Sequence, residues 1–138
     1  MKIRAFEPRD ESAVVALWQA CGLTRPWNDP HKDIARKLAV QRDLFFVGEA
    51  ENELVASVMA GYEGHRGWVN YLAVAPKFRG RGYGRMLMQY VEAALERRGC
   101  PKVSVLGRHS NPDAMEFYRR LGYVQDESVS FGKRLIAD

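Results

Sequence analysis

The sequence predicts a mixed α/β fold in which a mostly antiparallel sheet is flanked by about four helices. Strand-like and helix-like apolar periods alternate along the chain in the order β-α-α-β-β-β-α-β-α-β-β. In the middle, two strand-forming runs are joined by a long helical run, and a crossover of that kind makes its two strands parallel. A chain of 138 residues has room for one core, so we expect a single domain over residues 1–138.

The first third of the chain is predicted to form one strand and two helices. Residues 2–6 alternate in the manner of a strand, and a helix then opens at Asp10 and ends at Gly22. Its apolar positions have helical spacing and are Val14, Leu17, Trp18 and Cys21. Asp29 before Pro30 predicts a capped second helix, which we expect to run to about residue 41.

The rest of the chain supplies the other strands and two more helices. Strands are predicted at residues 44–50, 54–62, 68–74, 102–106, 123–127 and 130–136. A long amphipathic helix is expected from about residue 82 to 98, because Gly99 and Pro101 form a strong stop signal. Asn111 and Pro112 predict the cap and first position of the last helix.

Composition and charge exclude several classes of function. A hydrophobic fraction of 46% with 28% charged residues is typical of a folded domain. No apolar run approaches a membrane span, so we expect a cytoplasmic protein with no membrane partner. The net charge of +4 lacks the basic tract of a nucleic-acid binder, and a single phosphorylated ligand suits it. Cys21 and Cys100 have no metal-type spacing, and no metal site is expected.

The stretch RGRGYGR at residues 79–85 is the densest chemical signal in the chain. It lies between a strand and a helix, where unpaired backbone N–H groups and the helix dipole attract phosphate. Glycine lets an anion approach those groups closely, and arginine adds charge in a geometry suited to paired oxygens. Neither a P-loop nor a dinucleotide-binding turn matches, because no Lys-Ser or Lys-Thr pair exists and the glycines are spaced by two.

The same residues resemble the acetyl-CoA-binding signature of the GNAT superfamily of N-acetyltransferases. Arg79-x-x-Gly82-x-Gly84 follows a predicted strand and precedes a long helix, as in that signature. Asn111 with the helix at residues 114–123 is similar to the second cofactor motif of the family, and the predicted topology is similar along nearly the whole chain. The resemblance implies the GNAT fold, with its parallel strands splayed at the cofactor site. It also implies an acyltransferase that moves the acetyl group of acetyl-CoA to a primary amine in a ternary complex and releases CoA.

The resemblance assigns cofactor roles to particular positions. Backbone groups of Leu72 and Val74 are expected to bind the pantetheine arm, and the Leu72 amide is also expected to stabilise the oxyanion formed from the thioester. The turn is expected to hold the pyrophosphate. The cofactor-binding set is Leu72, Ala73, Val74, Arg79, Gly80, Arg81, Gly82, Tyr83, Gly84, Arg85 and Asn111.

Tyr118 corresponds to the tyrosine that many GNAT enzymes use to protonate the departing CoA thiolate. A phenol stays protonated at neutral pH and can give up its proton as basicity develops on sulfur. The alternative is a core tyrosine on the apolar helix face that contains Phe117 and Leu121. Asn111 either contacts pantetheine as well or only caps its helix.

The general base is the point where the chain departs from the family. Positions where relatives carry a glutamate hold Trp68 and Leu106 here. Glu63 is our first candidate for the base, His65 the second, and water the third. The alternative is that Glu63 and His65 are solvated residues of a glycine-bounded turn.

The acceptor site is predicted less directly. Trp27, Asn28 and Asp29 lie in a loop that often covers the acceptor side in the family, or they form only a capped loop. Three aromatic residues on strands either line a cleft or belong to the core, and these are Tyr62, Trp68 and Tyr71. The acceptor is a small amine or a protein amine, and a homodimer is possible. A non-catalytic acyl-CoA sensor is the alternative function.

Overall fold

The computed structural model describes residues 1–138 and contains five strands and four α-helices. The strands are β1 (Lys2–Ala5), β2 (Phe45–Ala50), β3 (Glu53–Tyr62), β4 (Gly67–Val74) and β5 (Val103–Val105). The helices are α1 (Glu11–Ala20), α2 (Pro30–Leu38), α3 (Tyr83–Arg97) and α4 (Pro112–Arg120). This confirms the predicted fold class of a mixed sheet with flanking helices.

The chain divides into two compact units, residues 1–105 with Asp138 and residues 106–137. The first unit holds a five-stranded sheet in the order β1-β2-β3-β4-β5. Neighbouring strands are antiparallel except β4 and β5, which are parallel as the crossover through α3 predicts. That all 138 residues form one domain stays a prediction.

Helices pack on both faces of this sheet. Adjacent side chains of a strand point to opposite faces, and Phe45 and Phe46 show the result. Phe45 lies 6.4 Å from the ring of Trp18 on α1, whereas Phe46 makes an edge contact at 4.9 Å with Tyr90 on α3. Each face therefore buries its own apolar cluster. The side of α1 and α2 contains Phe6, Val14, Val15, Leu17, Trp18, Ile34, Phe45, Val47, Met59 and Ala73.

Local signals place the helix ends close to where they were predicted. The Asp29 carboxylate accepts a hydrogen bond from the His31 amide at 2.8 Å, and Pro30 follows it at the first helical position. Gly82 precedes α3 with φ of 80°, a left-handed conformation that glycine adopts without a steric penalty. The second helix ends at Leu38, a little earlier than predicted.

The second unit contains α4 and no strand. The strands predicted at residues 123–127 and 130–136 are therefore wrong. Their alternating apolar residues fit a strand, but a strand forms only against a partner, and Phe131 is 93% exposed. In the whole structure, no helix combines the length and the apolar character that crossing a membrane requires.

Candidate functional site

The parallel strands part along one edge of β4. Strand β5 pairs only with Gly67, Trp68 and Val69, whereas β4 continues to Val74. The Ala75 amide donates to the Val55 carbonyl at 2.8 Å, which makes Val74 and Ala56 a non-hydrogen-bonded pair of the β3/β4 ladder. The backbone groups of Val74 therefore face away from β3, toward the edge that β5 leaves open.

The Val74 carbonyl on this edge already has donors within the protein. Arg79 Nε donates to it at 3.2 Å and Cys21 Sγ at 3.4 Å. The Val74 N–H group is thus available for the predicted contact with pantetheine, whereas the Val74 carbonyl is occupied by Arg79, the first residue of the glycine-rich turn.

The glycine-rich turn presents a row of unused donors. Gly80 and Gly82 both have φ of 80°, and a Cβ added at either would meet no protein atom within 4 Å. The first hydrogen bond of α3 runs from the Met86 amide to the Gly82 carbonyl at 3.1 Å. The backbone N–H groups of residues 80–85 donate to no acceptor in the protein. They form a concentration of positive partial charge at a helix N-terminus, which suits a phosphate group.

The three arginines of the turn do not contribute equally. Arg79 turns back to the Val74 carbonyl, and Arg81 pairs with Glu51 at 3.2 Å while its guanidinium lies 4.7 Å from the ring centre of Phe78. Arg85 is exposed and makes no hydrogen bond or ion pair. Only Arg85 has a guanidinium fully available to an anion, although all three were predicted to surround it.

A hydrogen-bonded aromatic cluster adjoins the same strand, and sequence reasoning did not find it. Tyr71 stacks on Trp18 with ring centres 3.8 Å apart, and its hydroxyl donates to Asp33 Oδ2 at 2.6 Å. Ser57, which is fully buried, accepts a hydrogen bond from the Trp18 indole at 2.9 Å. The available signal was a lone serine in the apolar run of β3.

The predicted acceptor residues occupy different surroundings. Trp27 is 60% exposed, and the Asp29 carboxylate caps α2. Asn28 Nδ2 donates to the Asp33 carboxylate and, at 3.2 Å, to the Tyr71 hydroxyl. Of the three, Asn28 alone joins the aromatic cluster.

Glu63 closes the turn between β3 and β4. Its Oε1 accepts hydrogen bonds from the Arg66 amide at 2.5 Å and the His65 amide at 2.9 Å. These contacts, the one from Arg66 first, lower the pKa of the Glu63 carboxyl below its usual value, which makes it a weaker base than an ordinary glutamate. His65 is exposed in the same turn.

In the second unit, Asn111 is the N-cap of α4 and Tyr118 lies within this helix. Asn111 Oδ1 accepts from the Ala114 amide at 3.1 Å, so the predicted capping role is present. The Tyr118 ring makes edge contacts with Phe117 at 5.2 Å and Tyr123 at 5.7 Å. Burial raises the pKa of the Tyr118 phenol, and its hydroxyl makes no hydrogen bond within the protein.

Comparisons with known proteins agree with these features. A model described as the acetyltransferase (GNAT) family matches residues 12–123. An acetyltransferase of Pectobacterium atrosepticum is 48% identical over 138 residues, which cover all of this chain and 98% of the relative.

Two solved structures show the same fold. A putative acetyltransferase from Agrobacterium tumefaciens has a TM-score of 0.78 at 22% identity, covering 97% of this chain and 100% of that one. A predicted acetyltransferase with acetyl-CoA from Clostridium acetobutylicum has a TM-score of 0.74 at 16% identity, covering 95% of each chain. From the family match and the full-length relative, the chain belongs to the GNAT family of acetyltransferases and is an acyltransferase.

Proposed function

We propose that this protein transfers the acetyl group of acetyl-CoA to a primary amine by direct attack in a ternary complex. The observation that carries the proposal is the row of unused N–H groups at residues 80–85, next to the open edge of β4. The diphosphate of CoA matches such donors in charge and in hydrogen bonding. Acetyl-CoA in the related structure from Clostridium acetobutylicum supports the choice of ligand.

The cofactor is proposed to run from the turn along β4. Its diphosphate accepts hydrogen bonds from residues 80–85 and pairs with Arg85. The pantetheine amides add to the open strand edge through the Val74 N–H, as an extra strand would. Arg79 would release the Val74 carbonyl if the arm pairs with that group as well.

The chemistry forms one bond and breaks another. The amine nitrogen attacks the thioester carbonyl carbon, and the Leu72 amide stabilises the negative charge that develops on oxygen. The C–N bond forms, the C–S bond breaks, and the thiolate takes the proton of Tyr118. The role of Tyr118 rests on the family resemblance of its helix, and its raised pKa keeps the phenol protonated at neutral pH.

A base must take the proton that the attacking amine loses. Glu63 remains our proposal for it, with His65 and water as the other candidates. The two amides that hold Glu63 work against this role because they favour the ionised carboxylate over the protonated acid.

The experiment that tests the function is a screen of small amines and peptides for CoA release from acetyl-CoA, paired with calorimetric titration of CoA. We expect binding of CoA and release that depends on an added amine. Binding without amine-dependent release would indicate an acyl-CoA sensor instead. Absence of CoA binding would refute both assignments.

A further inference from the structure

Tyr71 has a backbone conformation that aromatic residues rarely adopt. Its φ is 52°, in the left-handed region, although it lies within β4. The register between β3 and β4 shifts at this point, between Ser57 and Met59. A bulky residue stays in such a conformation only where its neighbours hold it, and such strain clusters at functional sites.

The neighbours of Tyr71 form a closed set of contacts. The ring stacks on Trp18 at 3.8 Å with an interplanar angle of 10°. The Trp18 indole donates to Ser57 Oγ at 2.9 Å, and Ser57 Oγ donates in turn to the Tyr71 carbonyl at 3.2 Å. Trp18 thus contacts the Tyr71 side chain directly and the Tyr71 carbonyl through Ser57.

Asp33 holds the other end of the side chain. The Tyr71 hydroxyl donates to Asp33 Oδ2 at 2.6 Å, and Asn28 Nδ2 donates to the same carboxylate. Arg36 contacts the second oxygen of Asp33 at 3.2 Å. Burial, with the Asp33 carboxylate, raises the pKa of Tyr71, so its hydroxyl remains a donor throughout the neutral range.

These contacts decide the direction of the Leu72 amide. The peptide between Tyr71 and Leu72 is trans, so its C=O and N–H groups point in opposite directions. Its carbonyl points at Ser57 on β3, and the Leu72 N–H therefore points away from β3. Beyond Val69 that is the side where β5 no longer pairs with β4.

We propose that Trp18, Ser57 and Asp33 are positioning residues that hold the Tyr71–Leu72 peptide so that the Leu72 N–H faces the thioester carbonyl. The inference rests on the proposed function, because it needs acetyl-CoA on the open edge of β4. It assigns a task in the reaction to residues of α1, β3 and α2 that have no contact with the glycine-rich turn in the structure. These residues would position the group that faces the acetyl carbonyl and would not contact the diphosphate. Their substitution should therefore reduce kcat and leave CoA affinity unchanged.

The chain offers a direct probe of this peptide. Tyr71-Leu72 is its only Tyr-Leu pair, so labelling tyrosine carbonyls with ¹³C and leucine nitrogens with ¹⁵N gives one carbonyl–amide correlation in an NMR spectrum. The signal is recorded for the free protein, with CoA and with acetyl-CoA. Wild type is expected to give a different signal position with acetyl-CoA than with CoA.

The variants are Asp33→Ala and Ser57→Ala, with Asp33→Asn as the conservative rescue because it keeps an acceptor for the Tyr71 hydroxyl. Asp43→Asn is the matched control, since Asp43 is a surface carboxylate paired with Arg98. Tyr71→Phe keeps the ring on Trp18 and loses only the hydroxyl, so it provides a kinetic test if an alanine variant fails to fold. Turnover is measured with the amine that releases CoA fastest in the screen.

In Asp33→Ala and Ser57→Ala we expect the Tyr71–Leu72 signal to have the same position with CoA and with acetyl-CoA. We also expect kcat to fall at least about tenfold, because a small misplacement of an oxyanion donor is costly. Their Kd for CoA should stay within about twofold, and Asp33→Asn should keep kcat within about threefold. Wild-type kcat in both alanine variants, or equal losses of kcat and CoA affinity, would overturn the inference. Failure of wild type to bind acetyl-CoA would instead overturn the proposed function.

Discussion

Replacing Gly84 by alanine should change the stability and the cofactor affinity of this protein in opposite directions. Gly84 is the second residue of α3 and has a negative, helical φ, so alanine fits its backbone. Alanine in a helix is more stable than glycine by roughly 0.5–1 kcal/mol, which raises Tm by roughly 3 °C for a chain of this size. The new Cβ points toward the helix N-terminus, where the diphosphate is proposed to lie.

The affinity should fall for the same geometric reason. A methyl group that keeps a phosphate oxygen from one amide removes a charge-assisted hydrogen bond, which contributes about 1.5–3 kcal/mol. Because each 1.4 kcal/mol is tenfold in Kd, we expect CoA to bind about 10 to 100 times more weakly. Calorimetric titration with CoA and thermal melting of the same samples measure the two effects.

Two further variants separate the causes. Gly82→Ala should also weaken CoA binding, but it should destabilise the protein by about 1–2 kcal/mol because φ at Gly82 is 80°. Gln89 lies on the exposed face of α3, so Gln89→Ala should leave CoA affinity unchanged. Wild-type affinity in Gly84→Ala would refute the argument that the amides of the turn hold the diphosphate.

Three other predictions follow from the structure. Tyr118→Phe removes the proposed acid and should lower kcat by about 100-fold or more. Tm and CoA affinity should stay unchanged, because the Tyr118 hydroxyl makes no hydrogen bond in the protein. Full turnover in this variant would rule out Tyr118 as the acid. Glu63→Gln should abolish the acidic limb of the pH–rate profile, which for this carboxyl lies below the usual glutamate range; a limb that persists eliminates Glu63 as the base. Asp10→Ala should cost about 3 kcal/mol in chemical denaturation, since Asp10 is buried and binds Arg4 through both oxygens at 2.7 and 2.9 Å. Arg4 lowers the pKa of Asp10 in the folded protein. The stability that the Arg4–Asp10 pair contributes is therefore present above the unfolded pKa of Asp10, near 4, and is lost as the pH falls through the lower folded pKa. Equal acid sensitivity of Asp10→Ala and wild type would contradict this prediction.

Features that depend on a few neighbouring residues were predicted well. Asp29 and Asn111 cap the helices they precede, and Gly82 stands immediately before α3. Capping and left-handed turns are decided by one side chain and the next three amides, so they can be read along the chain. The parallel pairing of β4 with β5 was predictable for a related reason, since two neighbouring strands joined by a crossover helix run in the same direction.

Features that depend on distant partners were missed or wrong. Residues 123–127 and 130–136 have the composition of strands, yet no strand partner lies against them. The cluster of Trp18, Ser57 and Tyr71 joins residues far apart in the chain through the register of β3 with β4. A register is a property of a pair of strands, and neither strand alone contains it.

The amino-acid sequence was sufficient to locate the glycine-rich turn, the family signature and the helix ends, because these depend on backbone preferences of adjacent residues. Tertiary packing alone decided which groups are available for chemistry. It turned Arg79 and Arg81 toward Val74 and Glu51, and it brought the Tyr71 carbonyl within reach of the Ser57 hydroxyl. The physical reason is that a hydrogen-bonding group becomes free or occupied only when the chain has brought its possible partners together.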